Sequence, residues 1–397
     1  MPVETALLRL LGSISGPLDA ERVPLDAAAG RVLAEPLAAK RTQPPFAASA
    51  MDGYAVRYDD AIEGARLRVL GEVPAGYGFA DPVVPGTCVR IFTGAPVPEG
   101  ADAILIQEDA QRDGDKVTVL ERPQRGRYIR PAGLDFSAGE VLVEAGKVLD
   151  FRGVTLAAAM NHATVPVRRR PRVALLATGD ELVEPGNEPG PEQIVASNGY
   201  GLAAMVAAAG GAPSYLGIAP DDKAAIAGRI EPALAEGVEI LVTMGGASVG
   251  DHDLVQESLT DRGMTLDFWR IAMRPGKPLM FGRLGDTLVL GLPGNPVSSL
   301  VCGLVFLRPM LKAFLGLDPS TNTSEVAVAQ ALPENDRRQD YLRARIVGSR
   351  DGRPLVEPFE RQDSSMLAVF NRSNALVIRP PHAPALAAGG RADALIL

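Results

Sequence analysis

Four short stretches of this 397-residue chain hold residues that could bind an anion beside a hard cation. In Leu290-Gly-Leu-Pro-Gly-Asn-Pro-Val-Ser-Ser299, a link between two apolar runs holds Gly294, Asn295, Pro296, Ser298 and Ser299. Gly294 lets the backbone approach a ligand closely, and Pro296 suits a first helical turn because it has no N–H to satisfy. Free N–H groups at such a helix start attract anions. Taken alone, this stretch reads first as a plain strand-to-helix turn. Thr178-Gly179-Asp180-Glu181 adds two carboxylates. Gly245-Gly246-Ala247-Ser248-Val249-Gly250 adds unhindered N–H groups and a hydroxyl, suited to phosphate. Asp251 and Asp253 follow at once, where a carboxylate would repel phosphate unless a bridging Mg²⁺ removed the conflict. The alternative is that these aspartates cap a helix start. Arg274 and Lys277, in Arg274-Pro-Gly-Lys-Pro278, bring positive charge, with a solvated surface pair as the alternative. Together the four stretches describe a phosphate-bearing anionic ligand with a hard metal. There is no G-x-x-x-x-G-K-[ST], so this is not a P-loop nucleotidase.

The elements that must position these stretches alternate between strand and helix. Arg172–Ala177, Ser214–Ala219, Glu239–Met244, Phe268–Met273, Leu279–Gly282 and Thr287–Leu292 read as strands. Gly199–Ala209, capped by Ser197 and Asn198, Lys223–Ala235 and the Leu- and Val-rich Leu300–Phe314 read as helices. This predicts a doubly wound, mainly parallel α/β domain over residues 169–317. Loops beyond the carboxyl ends of such strands form the ligand crevice, and the polar stretches follow strands. Residues 1–45 and 140–168 read as an N-terminal α/β region, a linking domain interrupted by an inserted small β domain at 46–139. Thr42–Ala50 is too proline-rich for a helix and should be an extended crossing that delivers Met51–Val56. Short β-like runs at Leu67–Val73, Cys88–Phe92, Ala103–Gln107 and Lys116–Leu120 then alternate with Gly/Pro turns. Residues 318–397 open on a turn-rich linker and read as a small C-terminal β domain.

Composition narrows the classes. The chain has ample core for several domains, with 46% hydrophobic and 22% charged residues. A net charge of −8 argues against a non-specific nucleic-acid binder, and the sole Trp269 offers no stacking platform. The amphipathic start lacks a secretory pattern, and no uninterrupted apolar run approaches the ~18 residues of a membrane span. Cys88 and Cys302 read as buried free thiols of a reducing, cytoplasmic protein. His162, His252 and His382 are too scattered for a zinc site, so any metal should be a hard cation on carboxylates.

The motifs closely resemble the MoeA-type molybdopterin molybdenumtransferase family, which includes the enzyme domain of gephyrin. The matches are Pro44-Pro-Phe with Ser49-Ala-Met-Asp-Gly-Tyr-Ala55, Thr93-Gly-Ala-Pro-Val-Pro-Glu-Gly-Ala-Asp-Ala103, Arg130-Pro-Ala-Gly-Leu-Asp135, Thr178–Leu182, Gly245–Gly250, Arg274–Pro278 and Gly291–Ser298. They cover nearly the whole chain in the family's order. The last three would be shared with molybdopterin adenylyltransferases, which have the α/β domain alone. Residues 1–168 argue against that alternative, and the missing extra domain and linker argue against a non-enzymatic scaffold of the gephyrin kind.

The resemblance implies molybdenum cofactor biosynthesis: molybdate, a substrate, is inserted into adenylylated molybdopterin with Mg²⁺-assisted release of AMP. It implies four domains and a homodimer, with each cleft between the α/β domain of one subunit and the inserted β module of the other. It also implies transient contact with the adenylyltransferase and with apo-molybdoenzymes. Carried over by motif, Asp52, Thr93, Asp135 and Glu181 are expected to be catalytic. Asp253, Asp251 and Asp221 are the metal candidates. Thr178, Gly179, Asp180, Ser197, Asn198, Gly245, Gly246, Ser248, Arg274, Lys277, Gly294, Asn295 and Ser298 are the expected substrate contacts. Arg274 stands where many members have Lys, and Ala247 where many have Val. The first keeps the charge but changes its geometry. Molybdate is a dianion, which suits a basic, N–H-rich site. Cleaving a phosphoanhydride calls for charge neutralisation more than for a covalent nucleophile.

Overall fold

The computed structural model describes residues 1–245 and 254–397. They divide into two compact units, Met1–Glu21 with Arg168–Leu397, and Arg22–Val167.

The first unit is built on β1 (Arg172–Thr178), α1 (Asn198–Ala208), β2 (Ala212–Ala219), α2 (Lys223–Ala235), β3 (Ile240–Met244), α3 (Leu254–Thr260), β4 (Thr265–Trp269), β5 (Met280–Leu284), β6 (Thr287–Leu292) and α4 (Pro296–Phe314). The six strands lie in the order β2-β1-β3-β6-β5-β4. The first four are parallel, while β5 runs antiparallel to both β6 and β4. Strands β3 and β6 are buried at every residue, as expected when helices cover both faces. The alternation of side chains sorts them between two cores. Leu175, Val242 and Leu290 join one cluster with residues of α1 and α4, while Leu176, Leu241 and Val289 join the other with residues of α2 and α3. Asp222 starts α2 by accepting the Ala225 N–H at 2.8 Å. Helix α4 is long and apolar enough to cross a membrane, yet most of it is buried inside the protein, as in a core helix.

The sequence assigns the first helix to the linking domain, but it packs elsewhere. Val3, Ala6 and Leu10 of Val3–Gly12 lie in the core cluster of Leu175 and Leu290. Backbone bonds tie this segment down at both ends: Ala272 N–H to Met1 O at 2.7 Å, and Leu18 N–H to Phe314 O at 2.8 Å. An amphipathic stripe shows that a helix needs a partner, not which one.

Residues 323–396 of the same unit form a small β domain. Thr323–Val328, Gln339–Arg350, Arg353–Pro358, Ala375–Arg379 and Arg391–Ile396 make a sheet that closes on itself where Gln339–Arg350 pairs with Ala375–Arg379. Closure removes exposed edges. Met273–Arg274 leaves the α/β portion to pair in parallel with Gln339 and Asp340.

In the second unit, a six-stranded sheet has the order Ala103–Ile106, Gly53–Val56, Thr87–Ile91, Arg66–Val73, Lys116–Val119, Ala110–Asp113. A Cβ at Gly53 would lie 2.1 Å from Leu105 O, so this strand needs glycine to pair so closely. A separate core joins Leu33, Leu37, Leu149, Met160 and Val165, drawn from both sides of the insertion. Cys88 and Cys302 are buried free thiols, and burial pushes the Cys88 thiol up to about 12.

Leu10 is fully buried, so Leu10→Ala should lower stability by about 2–5 kcal/mol. Hydrogen exchange should locate the loss in the unit containing β1, β3 and β6. Faster exchange confined to residues 22–167 would contradict this packing.

Candidate functional site

Parallel pairing aligns the strand ends. Thr178 pairs with Ala219, Ala177 with Met244, and Met244 with Leu292. The loops after β1, β2, β3 and β6 therefore start from one edge of the sheet. Strand β5 enters at that same edge, since Met280 pairs with Gly291. Thr178, Gly179, Asp180, Glu181, Asp221, Gly245, Gly294, Asn295 and Ser298 thus issue from neighbouring strand ends. Gly246, Ser248, Asp251 and Asp253 lie outside the described residues.

Close backbone packing holds these loops. Gly245 has φ +98°, its N–H donates to Leu292 O at 3.4 Å, and a Cβ there would stand 2.3 Å from Thr178 O. Only glycine accepts both the dihedral and the contact. The Asp221 N–H donates to Asp180 Oδ1 at 3.1 Å, joining the loops after β2 and β1. Thr178 is buried, and its Oγ1 has no hydrogen-bond partner among the described residues. Glu181 is exposed, and Ser298 is buried in the first turn of α4.

Asn198 acts differently from the expected cap. It is the first residue of α1, and its Nδ2 donates 2.7 Å across to Gly294 O and 3.4 Å to Ser299 Oγ. Ser197 makes no side-chain capping bond, its hydroxyl donating instead to Asn198 Oδ1 at 3.4 Å. Ser299 Oγ in turn donates to Pro293 O. One amide therefore fixes the Pro293-Gly294-Asn295 turn from outside.

The C-terminal β domain also reaches this turn. Asn295 Nδ2 donates to Ser364 Oγ at 3.0 Å, and the Val297 N–H donates to Ser364 O at 3.1 Å. Beside Ser364, the Asp363 carbonyl accepts from Arg343 Nη2 at 3.1 Å. Arg343 is 1% exposed, and its Nε lacks a hydrogen-bond partner among the described residues. Burial lowers its affinity for a proton, with the Asp363 charge opposing that shift. A buried cation with an unused donor is costly by itself, and the Asp363 carbonyl offsets only part of that cost. Sequence reasoning missed Arg343, Asp363 and Ser364. The small polar run Gln362-Asp-Ser-Ser365 is a visible signal for Asp363 and Ser364 but not for Arg343.

Arg274 and Lys277 part company. Arg274 Nε donates to Asp340 Oδ1 at 2.8 Å, and Nη1 reaches Asp336 at 3.4 Å. Its bond to Asp340 raises its affinity for a proton further. The guanidinium is thus committed to the C-terminal domain. Lys277 is exposed and lines a recess of about 360 Å³ with Arg270 and Arg337.

In the second unit, Asp52 Oδ1 accepts both the Thr93 N–H and the Thr93 hydroxyl, each at 2.8 Å. These two bonds hold its carboxyl below the usual range, so it stays charged further into acid. Asp135 lies on a loop bound to the proline-rich crossing: its N–H donates to Gln43 O at 3.0 Å, and Ile129–Arg130 pairs with Ala48–Ser49. The crossing therefore organises all three residues.

Comparison with known proteins matches each part. Residues 1–161 match the model of the MoeA N-terminal region (domain I and II), residues 174–313 that of a probable molybdopterin binding domain, and residues 325–397 that of the MoeA C-terminal region (domain IV). A molybdopterin molybdenumtransferase of a Nostoc species is 39% identical over 346 residues, 85% of this chain and 79% of that protein. One from Haemophilus influenzae is 32% identical over 95% of this chain and 94% of its own length. The crystal structure of a molybdopterin biosynthesis MoeA protein from Pyrococcus horikosii superposes with a TM-score of 0.85 at 29% identity, covering 100% of this chain and 98% of that one.

Asn198→Ala removes the amide that holds the turn. Thermal or urea unfolding should register a loss of about 0.5–1.5 kcal/mol. The Val297 and Ser299 amides should exchange faster. Unchanged exchange at both would show that the turn holds itself.

Proposed function

The chain belongs to the MoeA family of molybdopterin molybdenumtransferases, and on that premise we propose a specific course for its reaction. It is a transferase of molybdenum cofactor biosynthesis that inserts molybdenum into molybdopterin. The form taken up, in this reading, is adenylylated molybdopterin, and insertion of molybdate accompanies cleavage of the adenylate and release of AMP. The setting we propose is cytoplasmic, with handover partners among the adenylyltransferase and apo-molybdoenzymes.

The observation that carries the reading is the shared edge of the parallel sheet, where the loops after β1, β2, β3 and β6 begin, with the Ser364 loop clasping the start of α4. A tetrahedral dianion would find there the positive end of a helix and hydroxyls, without a covalent nucleophile. Thr178 Oγ1 supplies an unused polar group at the strand ends. Residues of this chain bind and orient; the fixed dipoles cost no reorganisation during the reaction.

Mg²⁺ would, when bound, neutralise phosphate charge during cleavage of the anhydride. The donor chemistry fits: Asp180, Glu181 and Asp221 put hard oxygen ligands on the loops after β1 and β2. Asp221 would hold the ion with Asp251 and Asp253, which lie outside the described residues. Among the described residues, no group of three acidic or imidazole side chains closes around one point.

We further propose a homodimer whose clefts each draw Asp52 from one subunit and Glu181 from its partner. Mixing Asp52→Ala with Glu181→Ala under subunit exchange should then restore about a quarter of wild-type activity, since half the dimers carry one intact cleft. A mixture that stays inactive despite proven exchange would place both groups within one chain. AMP release from adenylylated molybdopterin should require molybdate. Equal rates without it would indicate a simple hydrolase.

A further inference from the structure

Asp52 is reached by more than Thr93. Arg90, on Thr87–Ile91, lies beside it with its guanidinium 5.0 Å from the ring centroid of Tyr54 and 5.0 Å from that of Phe92. Cations are attracted to aromatic faces, and two faces fix the plane more firmly than one. Nη1 donates to Gly53 O at 3.3 Å, and Nη2 donates to Gln107 Oε1 at 2.8 Å. The Gln107 N–H donates back to Asp52 O at 3.1 Å. Gly53 follows Asp52, and Phe92 precedes Thr93, so the clamp grips the chain on both sides of the Asp52–Thr93 pair. Arg90 has no carboxylate partner among the described residues, so its charge is left to act on Asp52. A structural arginine at a surface is more often neutralised by an ion pair; here Glu72 pairs with Arg112 instead.

We propose that Arg90 is a positioning residue for Asp52: it holds the Gly53 carbonyl and the Gln107 side chain so that Asp52 Oδ2, free of hydrogen bonds among the described residues, is presented to substrate as a carboxylate. This rests on the reading of Asp52 as a group that meets the substrate. The fixed guanidinium discourages protonation of the carboxylate by its charge and holds the backbone next to it through Gly53 O, while Thr93 bonds the carboxylate itself. Thr93 supplies the larger effect on the proton affinity of Asp52, and Arg90 adds to it. The remaining groups near the clamp are Tyr54, the Arg112–Glu72 pair beyond it, and Glu108, whose carboxylate accepts from Gln107 at 3.2 Å. None of these meets Asp52 directly.

The test uses the full chain with Arg90→Met, which keeps the apolar stem and removes charge and donors, and Arg90→Lys, which keeps charge alone. Asp52 carboxyl titration is followed by ¹³C NMR, and AMP release is followed against pH. Arg90→Met should raise the Asp52 midpoint, move the acid limb of kcat upward in pH and lower kcat about tenfold, with KM for molybdate within about twofold. Arg90→Lys should return the midpoint towards wild type but recover kcat only in part, because lysine lacks the planar fork. An unmoved midpoint and acid limb in a folded Arg90→Met protein overturns the proposal. Asp52→Asn separates the two levels. Full activity there removes the reading of Asp52 and the proposal with it, whereas lost activity beside an unaffected Arg90→Met overturns the proposal alone.

Discussion

Parallel pairing is the constraint on which the rest of this structure depends. Four strands in register end together, at Thr178, Ala219, Met244 and Leu292. Their loops must then share one edge, whatever their sequences. Burial on both faces makes that register hard to slip, because a shift by one residue would exchange the two cores. The chemistry of the loops can therefore vary while their placement does not. The bond from Asn198 to Gly294 adds a local restraint on the same edge.

The C-terminal β domain has a part in that edge. Its closed sheet borrows Met273–Arg274 as a parallel neighbour, and Arg274 seals the junction through Asp340. Its Ser364 loop meets the start of α4, and Arg343 stays buried behind it. A buried guanidinium with an unused donor is unfavourable by itself. The Asp363 carbonyl and the Asp363 charge offset part of that cost.

Much of this was legible in sequence because it follows from local rules. Lys223–Ala235 and Thr287–Leu292 begin and end where their caps, apolar runs and turns predict. Four strands of the inserted sheet lie within one residue of the predicted runs, while Gly53–Val56 and Ala110–Asp113 were not among those runs. What was not legible depends on contacts distant in the chain. The stripe Val3, Ala6, Leu10 cannot name its partner, so the sequence alone places the first helix with the neighbouring segment. Asn198 carries the residue type of a cap, and only the fold shows its amide crossing to Gly294. Arg274 reads as a free cation until Asp340, 66 residues on, is folded against it. Arg343 sits among ordinary strand residues, and no pattern distinguishes it before its burial is known.

The central claim is that the carboxyl edge of the parallel sheet, with the Ser364 loop, is where the oxyanion binds. Diffraction from crystals grown with molybdate, at wavelengths on both sides of the molybdenum absorption edge, locates that atom directly. The account predicts an anomalous peak at this edge, beside the start of α4 and the Arg343–Ser364 segment. A well-ordered peak elsewhere, such as the hairpin turn between β5 and β6 at the opposite edge, would contradict it.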